Sequence, residues 1–291
     1  MSKKCLIIVN PISGLGFGRR NAPRLQAALH ASGCEADLFW TKTAGDARQA
    51  AANTNADEVS VIVSVGGDGT LNEIVNGVGD KGIPVAVFPV GTGNVLAKEY
   101  SIPCKVKDVC EMISRGKTAL LDVGLIGRRR FVLFAGIGFD AAVAMTLYER
   151  RKGRICILHY LSPTLRTFLH YPFPEIRVTV DGQATGTATT VLISNVQSYG
   201  GPFKFARGAD PTDGAFDVLL LRGRSRWDVL RYFWGGLTRR ILRYRDVTCL
   251  RGATIELTSD GEPPIQADGD YIGKVPAKIE LLPARLPLIV P

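Results

Sequence analysis

The stretch Val59-Ser60-Val61-Ile62-Val63-Ser64-Val65 runs straight into Gly66-Gly67-Asp68-Gly69-Thr70, and a helical pattern over 71–78 begins at once. An apolar run of strand length with no polar alternation is a strand covered on both faces, which is the condition of a parallel sheet. Parallel strands need crossover connections, usually helical. The neighbouring sequence supplies them. Residues 5–9 read as a short buried strand and 21–32 as a helix, with Pro23 in its first turn and Gly33 as its stop. A strand at 35–40 and an alanine-rich helix at 44–53 precede the central strand. A strand at 84–88 and helices at 94–100 and 106–115 follow the 71–78 helix. This order predicts an α/β domain built on a doubly wound parallel sheet.

After about residue 119 the texture changes. Strand-like runs appear at 119–126, 131–137, 175–180, 187–194, 216–221, 253–258 and 276–282, interrupted by helical blocks at 139–170 and 226–243. Asp181-Gly182 reads as a hairpin turn and Asp260-Gly261 as a second turn. The 291 residues are enough for two domains. We place the first at 1–122 and a β-rich, antiparallel, sandwich-like domain at 123–283, with a cleft between them as the expected site.

Charge is unevenly spread. Residues 1–124 carry 13 Lys and Arg against 12 Asp and Glu, and residues 125–291 carry 23 against 15, so nearly all of the net +9 lies in the second part. Nineteen of those 23 are arginine, which favours anionic partners such as phosphates or acidic lipid head groups. No nucleic-acid-binding motif accompanies the charge. The six cysteines, at 5, 34, 104, 110, 156 and 249, form no Cys-x-x-Cys pair, and packed, reduced thiols are expected. No apolar run reaches the roughly 18–20 residues of a membrane span. The apolar block after Met1-Ser2-Lys3-Lys4 is too short for a signal-peptide core, so a cytoplasmic protein is expected.

Three strand ends of the first domain carry small, glycine-rich turns: Asn10-Pro11-Ile12-Ser13-Gly14, Gly66-Gly67-Asp68-Gly69-Thr70 and Pro89-Val90-Gly91-Thr92-Gly93-Asn94. Ligands of open parallel sheets bind outside the carboxyl ends of the strands. Glycine lets a ligand approach the main chain, and a helix N-terminus offers N–H groups and partial positive charge, which suits phosphate. Thr70 is expected to cap the following helix. Asp68 beside an anion makes sense if a magnesium ion stands between them, directly or through water. Neither Gly-x4-Gly-Lys-Ser/Thr nor a clean Gly-x-Gly-x-x-Gly opens the first unit.

In order and spacing, Asn-Pro-x-Ser-Gly, Gly-Gly-Asp-Gly-Thr-Leu-Asn-Glu and Pro-x-Gly-Thr-x-Asn resemble the diacylglycerol kinase catalytic family, which includes bacterial lipid kinases, sphingosine kinases and ceramide kinases. The Gly-Gly-Asp-Gly element alone also resembles NAD kinases and phosphofructokinases. The resemblance implies ATP as cofactor, lying against Asn10, Pro11, Ser13, Gly14, Gly66, Gly67, Asp68, Gly69, Thr70, Asn72 and Thr92, with Thr41 nearby. It also implies that residues 284–291 return to the first domain. Gln266-Ala267-Asp268-Gly269-Asp270 resembles the family's Asp-Gly-Glu element, which assigns Asp268 as catalytic base and places Asp270 near ATP or its metal. Asp stands at 270 where the family has Glu, and Asp260-Gly261-Glu262 matches by letters at a different place. Asp210, Asp213 and the carbonyl of Ala215 resemble a loop that holds a structural magnesium, with Thr212 where one acid is usual.

Trp227, Leu230, Trp234, Leu237 and Ile241 recur at spacings of 3, 4, 3 and 4, one face of a helix that Ser225 and Asp228 would cap as a capping box. Arginines at 231, 239, 240 and 243 flank it, and Arg150-Arg151-Lys152-Gly153-Arg154 precedes an apolar-aromatic block over 155–173. Such a stripe is either core or a contact with an anionic membrane surface, where a lipid acceptor resides and peripheral association would follow. The function expected is ATP-dependent phosphorylation of a lipid hydroxyl, diacylglycerol-like by preference. Phosphatidylglycerol, a long-chain base and ceramide stay open as acceptors. So do a soluble acceptor such as NAD, a non-catalytic nucleotide-binding regulator, and association into a homodimer.

Overall fold

The computed structural model describes residues 4–149, 165, 167–200, 203–206 and 208–291. The chain forms two units, Met1–Val123 with Pro283–Pro291, and Gly124–Leu282. The basic cluster at 150–154 and the apolar stretch 155–164 lie outside the described residues.

The first unit contains β1 (Lys4–Val9), α1 (Phe17–Ala31), β2 (Ala36–Trp40), α2 (Asp46–Ala52), β3 (Val59–Gly66), α3 (Asp68–Val78), β4 (Val85–Pro89), α4 (Val95–Glu99), α5 (Val106–Arg115) and most of β5 (Thr118–Ile126). Its sheet runs β2-β1-β3-β4, and every pairing is parallel. In β3 only Ser60 is more than marginally accessible, as the unalternated apolar run requires. Beyond β4, Leu288 pairs in parallel with Val85, and the Val290 amide donates to the Lys117 carbonyl at 2.9 Å. Leu286, Leu288 and Ile289 are buried in this unit.

Two helix starts differ from the sequence reading. Helix α1 begins at Phe17 rather than 21, so Pro23 sits inside it and not in its first turn. The cause is a left-handed turn: Gly14, Leu15 and Gly16 have φ of 58°, 55° and 85° and deliver the chain to Phe17 already turned. Helix α3 begins at Asp68 with Gly67 at its N-cap, so Thr70 lies within the first turn instead of capping it.

The second unit holds the rest of β5, then β6 (Arg129–Phe131), β7 (Phe134–Ile137), α6 (Phe139–Glu149), β8 (Ile176–Val180), β9 (Gln183–Ala188), β10 (Thr190–Ser194), β11 (Ser198–Gly200), β12 (Phe203–Lys204), β13 (Phe216–Leu221), α7 (Arg226–Leu237), β14 (Val247–Gly252), β15 (Thr254–Thr258), β16 (Pro264–Ala267), β17 (Asp270–Lys274) and the start of β18 (Ala277–Ile289). One antiparallel sheet runs β14-β13-β10-β7-β16-β17. A second antiparallel layer is made by β18, β15, β8 and β9. Asp181 and Gly182, at φ 48° and 78°, close the β8–β9 hairpin, as their sequence foretells. Alternate residues of both layers meet in one core: Ile137, Val191, Ile193, Val218 and Leu220 from the first, Val178, Ile255, Leu257 and Ile279 from the second. The intervening residues Leu192, Leu219 and Leu221 face the other way and pack under α7 against Tyr232.

The expected strand 131–137 is two strands. At the break the amides of Val132, Leu133 and Phe134 bind the Asp268 carboxylate. The expected strand 187–194 also divides, at Thr189, whose amide and hydroxyl both turn to the Leu221 carbonyl.

Candidate functional site

In the first unit the three glycine-rich turns lie at the carboxyl ends of β1, β3 and β4, and they touch one another. Asn10 Nδ2 donates to Thr70 Oγ1 at 3.4 Å, and Asn10 Oδ1 accepts the Ile12 amide at 3.2 Å, shaping the first turn. The Val90 amide donates to the Gly66 carbonyl at 3.1 Å. Asn94, in the left-handed region, closes the third turn on itself: its Oδ1 accepts from Gly91 N at 3.0 Å and its Nδ2 donates to Gly91 O at 2.7 Å.

The glycines of these turns have different reasons for being glycine. A Cβ on Gly14 would lie 1.9 Å from the Val90 carbonyl oxygen, one on Gly66 2.4 Å from Thr70 Oγ1, and one on Gly91 2.5 Å from the Gly67 Cα. Gly67 approaches Gly91 from the other side, with Ser13 Oγ beyond. Gly14, Gly67 and Gly91 let the turns pack against each other, and Gly66 makes room for Thr70 of its own turn. Gly69 is different. It is exposed, lies inside α3, and a Cβ there would meet nothing within 4 Å. Neither packing nor backbone angle asks for glycine at 69, although glycine costs a helix about 1 kcal/mol against alanine. The space beside it suits a ligand. No side chain caps α3, and the Thr70 and Leu71 amides donate to the Gly67 carbonyl at 3.1 and 3.2 Å.

Asp68 does not point into open space. Its Oδ1 accepts the Val95 amide at 2.8 Å, at the start of α4. Burial pushes its pKa upward, against the backbone N–H groups of Val95, Leu96 and Asn94, which favour the charged form. A single carboxylate suits magnesium only where phosphates complete the shell, which is that ion's usual habit. The remaining expected contacts are less uniform. Thr92 is exposed in the third turn, and Pro11 and Ser13 are half-buried. Thr41 bonds the Val9 carbonyl through its amide at 2.9 Å and its hydroxyl at 3.3 Å. Asn72 is buried, and its carbonyl and Oδ1 both accept from Asn76 Nδ2.

In the second unit Asp268 sits in the turn between β16 and β17, at φ 48°. Its Oδ2 accepts from Val132 N at 2.9 Å, and its Oδ1 from Leu133 N and Phe134 N at 2.9 and 3.1 Å. These three backbone partners are donors, which suits the acceptor-only carboxylate form. Asp270 Oδ2 pairs with Arg129 Nη2 at 2.8 Å, both half-buried. Asp260, eight positions before Asp268, instead pairs with Arg177 at 2.7 Å on the surface.

A group that sequence reading missed stands behind the turn. Gln266 Oε1 accepts the Gly269 amide at 2.8 Å, while its Nε2 donates to Asp140 Oδ2 and Tyr199 Oη, each at 3.0 Å. The Tyr199 hydroxyl also bonds Asp140, and its ring stacks on Phe134 with centroids 4.0 Å apart. Burial raises the pKa of Asp140 and lifts that of Tyr199 well above its ordinary value. These residues are 59 to 126 positions apart, so no local spacing announces them.

In the loop at 210–215 both carboxylates are engaged by the chain itself. Asp210 Oδ1 accepts from the amide and hydroxyl of Thr212, at 3.0 and 2.7 Å, as an ordinary Asx turn. Asp213 is ion-paired with Arg251, and Ala215 turns its amide to Asp213 at 3.2 Å. Among the described residues no group of three or more His, Cys, Asp or Glu gathers to hold a metal.

Comparison with known proteins follows these two units. Residues 4–126 match the family model of the diacylglycerol kinase catalytic domain, and residues 134–290 match that of the YegS C-terminal NAD kinase β-sandwich-like domain. A diacylglycerol kinase of Mycobacterium tuberculosis is 28% identical over 296 residues, covering 99% of this chain and 95% of the relative. One of Bacillus subtilis is 25% identical over 293 residues, covering 99% and 97%. A solved Bacillus anthracis structure assigned as a diacylglycerol kinase aligns with a TM-score of 0.81 at 25% identity, covering 99% of this chain and 97% of that one.

Proposed function

The chain belongs to the family in which a diacylglycerol kinase catalytic domain precedes a YegS-type C-terminal domain, and from that premise we propose that it transfers the γ-phosphate of ATP to a lipid hydroxyl. The observation that carries the reading is the meeting of three glycine-rich turns at the carboxyl ends of β1, β3 and β4, with the Cβ side of Gly69 left open. In this reading the N-terminus of α3 at Asp68 and Gly69 faces the phosphates, and the Asn10 turn and Thr92 border them. Magnesium, when bound with the nucleotide, neutralises phosphate charge, and Asp68 is the carboxylate that would hold it.

Asp268 accepts the acceptor hydroxyl's proton as the phosphoryl group moves. Its three backbone donors fix its direction, and Gln266 holds the following glycine. Asp270, tied to Arg129, keeps that side of the turn from drifting. A diacylglycerol-like acceptor accords with the names of the full-length relatives. A second reading, a soluble acceptor such as NAD, draws on the likeness of residues 134–290 to the NAD kinase β-sandwich.

One experiment separates the two. The protein is incubated with γ-labelled ATP and magnesium, once with total lipid extract and once with NAD. Label in an organic-extractable lipid is the expected result. Label in NAD alone would establish the second reading, and label in neither would leave a nucleotide-binding protein without transfer.

A further inference from the structure

Helix α7 is turned opposite to the usual sense. At 100° per residue, Trp227, Leu230, Phe233, Trp234 and Leu237 fall in one sector about 120° wide. All five are exposed, Trp227 at 79% and Trp234 at 62%. The buried sector lies across the helix and consists of Tyr232, Gly235 and Gly236. A Cβ on Gly235 would come within 2.7 Å of the Tyr244 ring, and one on Gly236 within 2.4 Å of the Phe205 ring. The helix therefore presses its glycines onto the rings of Tyr244 and Phe205 and leaves its largest apolar side chains outside. Its seating does not need them: the capping box of Ser225 and Asp228 is complete, and the Tyr232 hydroxyl accepts the Gly223 amide at 2.7 Å.

The surroundings of this face are cationic. Residues 224–245 contain seven arginines and one acidic residue, Asp228. Arg231 turns inward to Asp228 and Asp246, and Arg224 pairs with Glu175. Arg226, Arg240, Arg243 and Arg245 are exposed, as is Leu242 at 41%. Two tryptophans and a phenylalanine with a rim of arginine match the boundary between head groups and acyl chains, where aromatic rings settle and each cation gains from anionic lipid. Bases could stack on the tryptophans but would leave Leu230 and Leu237 unused, and an apolar protein partner would leave the cations unused.

We propose that α7 docks on a bilayer bearing anionic head groups, its Trp227–Leu237 face entering the interface and the arginines of 226–245 meeting lipid phosphates. This deepens the lipid-kinase reading by giving the surface on which an acceptor is met, but the docking itself requires no catalysis.

The test uses vesicles and no nucleotide. In a Trp40→Phe background only Trp227 and Trp234 emit. With vesicles of equal parts phosphatidylcholine and phosphatidylglycerol, the protein should co-sediment and its emission shift to the blue, and added salt should weaken both. With phosphatidylcholine alone neither should occur. Replacing both Trp227 and Trp234 with alanine should weaken co-sedimentation on the order of tenfold or more. Arg240→Gln and Arg243→Gln should each weaken it about fivefold. These side chains are exposed, so the melting temperature should hold and report that the variants are folded. Transfer of label to a short-chain acceptor in detergent micelles should match the parent in all variants, so that failed docking is told apart from failed kinase activity. The proposal falls if anionic vesicles produce neither change or if the double tryptophan variant binds them unchanged. It also falls if the emission shift appears with protein concentration alone and sedimentation velocity shows a dimer that the double variant abolishes.

Discussion

Asp268 has two tasks at one carboxylate. It anchors the amides of Val132, Leu133 and Phe134, and in the proposed reaction it takes a proton. Asp268→Asn places an NH2 group where one of those amides needs an acceptor, which should cost about 1–3 kcal/mol of stability. The variant should melt earlier by thermal or urea denaturation, retain ATP binding, and lose transfer by about 10²–10⁴-fold. Loss of ATP binding together with activity would give the residue an architectural role alone. Asp140 offers a pH test. Burial raises its pKa, and its Oδ1 has no partner. The folded chain therefore holds this proton more tightly than the unfolded chain does. Stability must then fall as pH rises above the ordinary aspartate range, about 4, toward the raised folded value. Asp140→Asn removes the titration. Its melting temperature relative to the parent should rise as pH goes from about 4 to neutrality, a trend that melts at a series of pH values will reveal.

At the level of elements, Gly69→Ala separates ligand space from packing. Alanine there meets no neighbour and favours the helix, so the apo protein should melt slightly higher, by the equivalent of about 0.5–1 kcal/mol. A methyl group beside the phosphates should meanwhile lower kcat/KM for ATP about 10–100-fold. Gly91→Ala, whose Cβ would strike Gly67, should instead lower the melting temperature. Calorimetry of both variants with steady-state kinetics checks the contrast. This distinction was not legible in the sequence, which shows three glycines around Asp68 alike; their roles depend on what the next turn places opposite. The alternation of strand and helix was legible, because an apolar run such as 59–65 and the glycines after it are local signals. The start of α1 was not, because a left-handed Leu15 leaves no mark in composition. In α7 the spacing of Trp227, Leu230, Trp234 and Leu237 identified a face but not its direction, which is set by Gly235 and Gly236 on the other side; Ile241, the fifth of the stripe, lies past the helix end at Leu237 and is buried. The Asp140–Tyr199–Gln266 group and the Asp213–Arg251 pair join distant segments that only the folded β-rich unit brings together.

Taken as a whole, the molecule has one unit drawn from two parts of the chain. Leu286, Leu288 and Ile289 fill the first unit's core from positions that follow the entire second unit. Each such side chain is worth roughly 1.5–3 kcal/mol when buried, so losing three removes about 4.5–9 kcal/mol, comparable with the 5–15 kcal/mol that holds a typical domain together. A chain cut after Leu282 should therefore lose the cooperative melt of the first unit and expose it to limited proteolysis, and adding a peptide of residues 283–291 should restore part of the protection. The same arrangement sets an order on the ribosome. The glycine turns at the ends of β1, β3 and β4 emerge early, but the edge of β4 waits for Leu288, which is translated only after the whole β-rich unit. A stalled or prematurely terminated product thus carries the turns on an unfinished sheet, short of the last strand that completes its edge.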